Sequence, residues 1–292
     1  MLDLTMPRIA LLLSGLPRQW RRSLPTQLKL FAEPIDVFFH FWDVIDYQEK
    51  VEMVDLLRPK AYCFEPPRDF SKIDSDPRVK RDSISVPSRL LSQYYSWHQV
   101  GRLFEPSIEQ YDLGIRSRTD LQFIKSMNSI RYRFGGHDLL VPWWETGGLL
   151  SDIWAIGGVN AILYYHKMYE KVQDYAKSTL FNAELLIMNH LRQQPQIKVS
   201  TTSRKLFFVR RPHMEHYSVE QAMSEHAGQN KWLDPEVIAA HKDFFRHTGD
   251  QAGEAKVERF AEFQLVELNR KSRGNHGQGN VPRPKGTDEN KS

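Results

Sequence analysis

The chain has 292 residues, 40% hydrophobic and 12% aromatic, enough to bury a substantial core in one large domain or two small ones. Lys and Arg total 40 against 36 Asp and Glu, and +3 of the net +4 falls in Lys271–Ser292, so the near-neutral body argues against a nucleic-acid-binding surface. A single cysteine, Cys63, excludes an internal disulfide and fits a reducing compartment.

At the N-terminus, MLDLTMPRIALLLSG lacks the basic start and small-residue cleavage site of a signal peptide. No apolar run approaches the ~20 residues that cross a bilayer. A soluble, cytoplasmic protein is expected, with peripheral membrane contact left open. Arg8–Ser14 is continuously apolar, as in a strand covered on both faces. Trp20, Leu24, Leu28 and Phe31 share one side of a helix over Pro17–Phe31. Ile35–Phe41 is a second buried strand, Tyr47–Leu57 a helix ended by Pro59, and Ala61–Phe64 a short strand. Residues 66–86, rich in Pro, Asp, Ser and Lys, form a loop.

The Ser88–Phe104 helix places Leu90, Tyr94, Trp97, Gly101 and Phe104 on one face. Tyr111–Arg116 is a strand, as are HDLLVPWW at 137–144 and, briefly, DIWAIGG at 152–158. Val159–Ala176 and Asn182–Gln193 are helices, and Lys205–Val209 is a late strand. Three segments result: an α/β domain over 1–210, an amphipathic helical extension over 211–269, and a tail over 270–292 whose composition predicts disorder. Strands alternating with helices imply a mostly parallel sheet flanked by helices. Ligands of such sheets bind beyond the carboxyl ends of the strands. That rule selects Ser14–Trp20, His40–Asp43, Arg116–Asp120 and the loop before Asp152.

In SGLPR, Gly15 would let the backbone approach a ligand whose phosphates meet Arg18 and free amides of the next helix. A plain strand-to-helix turn is the alternative, and neither GxxxxGK[ST] nor GxGxxG is present. In DVFFHFWD, Asp43 is placed to accept from a ribose or a base edge; alternatively it caps the next segment while His40 and Trp42 pack. In IRSRTDL, strand alternation sends Arg116, Arg118 and Asp120 to one side. Their guanidinium forks suit phosphate oxygens. Asp120 suits a divalent cation or an arginine, and an internal salt bridge is the competing reading. Asp152 is a candidate general base for a hydroxyl within about 3 Å, or a cap. Glu184 and His190 lie six apart and do not share a helix face well. Near the start of its helix, Glu184 also suits the dipole.

The order LSGLPRQW, IDVFFHFWD, LRPKAYCFEPP, SQYYSWHQVGRLFE, YDLGIRSRTDLQF, SDIWAIGG, AELLIMNHL resembles a group of bacterial and giant-virus glycosyltransferases of polysaccharide synthesis. Members of that group read SGQxR, DxFxHxW and IRxRxDL, then a D-x-F/W-A-x-G strand and an E-x-L-L-x-x-x-L helix. The likeness spans roughly residues 8 to 200. It implies a GT-A fold with a Rossmann-like nucleotide-binding sheet. It also implies a nucleotide-diphosphate sugar as co-substrate, and a glycan or lipid-linked acceptor. Ser14 and Gly15 would then cradle the nucleotide part of the donor with His40 and Asp43, and Arg18 would lie near the diphosphate. Arg116 and Arg118 would stabilise the diphosphate, and Gln93 and Ser96 would touch the donor sugar or base. Asp152 would act as base, with Glu184 in reserve. Two departures stand out. RTD at 118–120 occupies the place of the metal-binding DxD, so Mn or Mg at Asp120 is left open, and Leu16-Pro17 replaces the usual Gln-Leu or Gln-Pro. Two rival readings remain: a phosphoadenosine-phosphosulfate-dependent sulfotransferase, whose phosphosulfate loop LLLSGLPR resembles at its start, and a non-catalytic nucleotide-binding protein. Against the sulfotransferase, Gln19-Trp20 is bulky after the arginine, and no late glycine-rich motif follows.

Overall fold

The first strand organises the molecule. Ile9–Gly15 (β1) is apolar on both faces because both are covered. Ile9, Leu11 and Leu13 pack with Trp20 and Leu24 of α1 (Trp20–Gln27) and with Met53 and Leu57 of α2 (Tyr47–Leu57). Ala10 and Leu12 face the opposite core, with Leu91, Tyr94, Trp97 and Val100 of α3 (Pro87–Phe104). The computed structural model describes residues 7–80, 85–123, 127, 134–142, 150–202, 206–208 and 246.

β1 pairs in parallel with β2 (Ile35–Trp42) on one side and with β4 (Leu113–Ser117) on the other, and β3 (Ala61–Glu65) adds in parallel to β2. Beyond β4 lie β7 (Ala155–Gly158), β6 (Asp138–Pro142) and β8 (Lys198–Thr202), giving the order β3-β2-β1-β4-β7-β6-β8. β7 is antiparallel to both neighbours, and β8 is parallel to β6. The expected α/β architecture, a mostly parallel sheet flanked by helices, is what forms. Its antiparallel member, β7, is set between β4 and β6.

Several boundaries differ from expectation. α1 starts at Trp20, not Pro17, because Gln19 takes a left-handed φ of 50°. It ends at Gln27, not Phe31. The single helix expected over 159–176 is two, α4 (Val159–His166) and α5 (Met168–Ser178), broken at Lys167. α6 (Ala183–Arg192) matches the later helix. β5 (Leu121–Phe123) and β8 were not expected; β5 pairs antiparallel with β9 (Leu206–Phe208), the late strand. Within 66–86, Ser71–Ser75 forms a short 3-10 turn. Trp143, Trp144, Lys205 and Val209 lie outside the described residues. So do the tail over 270–292 and, apart from Arg246, the extension over 211–269. No helix among the described residues is long and apolar enough to cross a membrane.

α4 lies close on β4, since a Cβ at Gly114 would meet Ile162 Cγ2 at 2.9 Å. Strand alternation puts Ser14, His40, Trp42 and Arg116 on the α3 side of the sheet.

Candidate functional site

The chain leaves β1 in one direction to build β2 and β3, then returns to its other side as β4. Such a reversal opens a crevice beyond the carboxyl ends of the two diverging strands. A cleft of about 570 Å³ lies there. The β1–α1 turn lines it with Ser14, Gly15, Leu16 and Arg18, the end of β4 with Arg116, Arg118 and Asp120, and β2 with Trp42. The opposite wall is Arg68–Ser71 after β3, with Ser88, Arg89, Ser92, Gln93 and Trp97 of α3. Among the described lining residues five are arginines and two are aspartates, a net positive set.

Arg116 is 0% exposed. Its guanidinium lies 3.9 Å over the Trp97 ring, which stacks in turn on Tyr165 at 5.3 Å. One terminal nitrogen donates to the Asp152 carbonyl, whereas Nε and the other terminal nitrogen have no hydrogen-bond partner. Burial pushes its pKa down to about 10, so it stays charged at neutral pH. Ser14 Oγ, at the same cleft, is also buried without a partner. A buried cation with idle donors is costly unless something completes it. An anion in this cleft would meet that charge, and would bond the idle nitrogens once the side chains covering them shift.

Arg118 is spoken for. Its Nε and a terminal nitrogen donate to the two Asp120 oxygens at 2.8 and 2.7 Å. Burial opposes its charge, but Asp120 outweighs burial and the pKa lies above the ordinary value. The internal salt bridge is thus the reading of IRSRTDL that forms for this pair. Both carboxylate oxygens already accept from the guanidinium. No group of three His, Cys, Asp or Glu able to hold a metal occurs among the described residues. A divalent cation at Asp120 would have to draw its carboxylate away from this guanidinium.

No family model matches the chain, and no curated protein matches it in sequence. Among solved structures, it is similar to mouse xyloside xylosyltransferase 1 in its apo form, at a TM-score of 0.39 and 8% identity, over 68% of this chain and 85% of that one.

Two backbone amides of the turn that precedes α1 are engaged elsewhere. Gly15 N–H donates to Ser96 Oγ at 2.8 Å, and Arg18 N–H to Thr119 Oγ1 at 3.0 Å. Thr119 Oγ1 donates to the Leu16 carbonyl at 2.8 Å, and Ser23 Oγ to the Thr119 carbonyl, stitching the β1–α1 turn to the end of β4. SGLPR lines the cleft with Ser14, Gly15, Leu16 and Arg18, on a turn that needs glycine at φ +102°.

His40 and Ser96 do not line the cleft. At 1% and 0% exposure they lie behind its wall, joined by a 2.8 Å hydrogen bond, so the expected direct donor contacts give way to a framework role. Asp43 does not line it either; Lys50 Nζ holds its carboxylate at 2.5 Å, which corrects the ribose-acceptor reading. Trp42, which packs in one of the two readings of DVFFHFWD, lines the cleft while stacking on Tyr95 at 5.7 Å. Gln93 lines it, and its Nε2 donates to Asp152 Oδ2 at 2.6 Å, so Asp152 stands one hydrogen bond behind the wall. Glu184 lies in the first turn of α6, where Asn182 Oδ1 accepts from its amide at 3.1 Å, away from the lining. His190 is held by the Tyr164 carbonyl and the Tyr175 hydroxyl, a structural histidine. The wall of Arg68, Asp69, Phe70, Ser88, Arg89 and Ser92 was not anticipated. Two signals pointed to it: EPPRDFS follows the carboxyl end of β3, and Ser88 and Ser92 share a helix face.

Proposed function

We propose that this protein is a glycosyltransferase of GT-A arrangement that moves a sugar from a nucleoside-diphosphate donor to a hydroxyl of a glycan or lipid-linked acceptor in polysaccharide synthesis. The observation that carries this reading is Arg116, a fully buried cation whose Nε and one terminal nitrogen lack partners in an arginine-lined cleft at the strand-order reversal. A diphosphate supplies the acceptor oxygens and the negative charge that this guanidinium lacks.

In the transfer, the bond from the anomeric carbon to the diphosphate oxygen breaks while the acceptor oxygen bonds to that carbon. Charge grows on the departing diphosphate, where Arg116 and Arg18 are set to stabilise it. Arg118 contributes with its charge partly spent on Asp120. The acceptor proton is assigned to Asp152, which reaches a hydroxyl in the cleft once Gln93 turns aside. Glu184, at the start of α6, is the reserve.

Thermal melting with UDP, GDP, TDP and adenosine 3′,5′-bisphosphate tests the ligand class. A diphosphate at 100 times its Kd should stabilise the fold by about 2.7 kcal/mol. Stabilisation by the bisphosphate alone would favour the sulfotransferase. For the base, Asp152→Asn should slow sugar transfer on the order of 100-fold while diphosphate affinity stays within about threefold. Equal loss of affinity would make Asp152 a framework residue. A wild type that binds donor without ever turning it over would be a nucleotide-binding protein.

A further inference from the structure

A run of hydrogen bonds passes beneath the cleft and surfaces at both of its walls. On one wall, Gly15 N–H donates to Ser96 Oγ at 2.8 Å. Ser96 Oγ lies 2.8 Å from His40 Nδ1 and 3.1 Å from the His40 carbonyl. His40 Nε2 lies 2.9 Å from Glu65 Oε2. On the far wall, Glu65 Oε1 accepts from Arg68 Nε at 2.6 Å and from the Tyr95 hydroxyl at 3.0 Å. Gly15 and Arg68 line the cleft, but Ser96, His40 and Glu65 do not.

We infer that Glu65, His40 and Ser96 are positioning residues, a brace that fixes the β1–α1 turn through the Gly15 amide and links it to Arg68 across the cleft. The direction of the brace follows from proton count. Glu65 is an acceptor, so the adjacent His40 Nε2 must carry a hydrogen. Burial holds His40 below the ordinary histidine pKa despite Glu65, which favours the neutral ring. Its Nδ1 is then a bare lone pair, and the single Ser96 hydroxyl proton points to it. That orientation leaves a Ser96 lone pair for Gly15 N–H. The carboxylate on β3 thereby sets the hydroxyl that holds the end of β1.

Arg68 is the member a ligand can reach. Its side chain is 54% exposed, and it lies over the Tyr95 ring at 4.3 Å while bound to Glu65. Glu65 is held below the usual carboxylate range: burial raises it, but hydrogen bonds from His40, Arg68 and Tyr95 together prevail. An anion that draws Arg68 away changes what Glu65 must satisfy, and His40 is the next partner. This ligand-coupled half rests on the glycosyltransferase reading; the brace itself does not.

Amide hydrogen exchange of the ligand-free protein, followed by NMR at Gly15 and at Leu12 on the same strand, tests the brace. Ser96→Ala should speed Gly15 exchange on the order of tenfold and Glu65→Ala about fivefold, each with Leu12 unchanged. An unaltered Gly15 rate in Glu65→Ala overturns the brace. Should Glu65→Ala unfold, Leu12 exchange rises too, and Arg68→Ala carries the test from its exposed position. There a Gly15 rate raised at least about twofold supports the link and an unchanged rate sinks it. With UDP as probe, Gly15 exchange should slow in wild type and respond less in Arg68→Ala; equal slowing in both would refute the coupling. If UDP, GDP and TDP all fail to bind wild type, the glycosyltransferase reading and the ligand coupling fall, and the ligand-free exchange rates still decide the brace.

Discussion

Arg116→Met should bind a nucleoside diphosphate on the order of 100- to 1,000-fold more weakly than wild type and yet melt at a higher temperature. Both halves come from one fact: the guanidinium is 0% exposed and two of its nitrogens have no partner. In the binding half, the variant loses two charge-assisted hydrogen bonds to phosphate, worth about 3–4 kcal/mol together. In the folding half, it loses one bond to the Asp152 carbonyl but no longer holds a charge out of water. Methionine fills a comparable slot over Trp97 and keeps a favourable sulfur–aromatic contact. Replacing buried charge by apolar volume typically returns about 1–3 kcal/mol, which in a domain of this size is several degrees of Tm, at roughly 2–4 °C per kcal/mol. Calorimetric titration and melting read the two effects separately. A lower Tm would mean that Arg116 is a structural residue held by Trp97 and Asp152, and the diphosphate assignment would lose its main support. Arg116→Lys separates charge from shape: it keeps the cation but gives up the flat stacking on Trp97 and the fork of donors, so its affinity should fall between the two.

How much of this was legible in the sequence depended on how far apart the partners lie along the chain. The buried strands announced themselves, because IALLLSG and IDVFFHFW are apolar at consecutive positions. The inner face of α3 was nearly as plain: Tyr94, Trp97, Gly101 and Phe104 are buried, while Leu90 is half-buried and Leu91 takes the buried place. The rule of strand ends then led to Ser14, Arg18, Arg116 and Arg118, which do line one cleft. Failures begin where a distant residue decides the local outcome. Pro17 signals a helix start, yet the neighbouring Arg18 amide is held by Thr119, 101 residues onward. His40 and Ser96 are chemically suited to a ligand, and nothing in their own segments shows that they bond to each other across 56 positions. The pairing of Arg118 with Asp120, two residues away, was by contrast among the stated alternatives. β8, KVSTT, is short and lies at the sheet's edge beside β6, so little apolar patterning marks it.

Asp120→Asn provides the strongest contrast between a carboxylate that neutralises an arginine and one that holds a cation. Asparagine matches aspartate in shape, so the change removes charge and leaves packing alone. Arg118, with a side chain only 16% exposed, would lose its bidentate partner at 2.7 and 2.8 Å. Breaking a buried pair on one side typically costs about 3–5 kcal/mol when nothing else meets the surviving charge; Arg118 also feels the Asp152 carboxylate, so the Tm should drop by less, on the order of 5 °C. The lost carboxylate also makes the cleft more positive. Added diphosphate, taking over from Asp120 as the counter-ion, should therefore raise the Tm of Asp120→Asn by more than it raises that of wild type. Chelator should leave both shifts unchanged. A cation ligand at this position predicts the reverse: a fold barely altered by the substitution, diphosphate stabilisation abolished, and wild-type binding lost in chelator and restored by Mn²⁺ or Mg²⁺. The two patterns share no outcome, so one melting series with and without diphosphate and chelator decides whether Arg118 stands in for the metal.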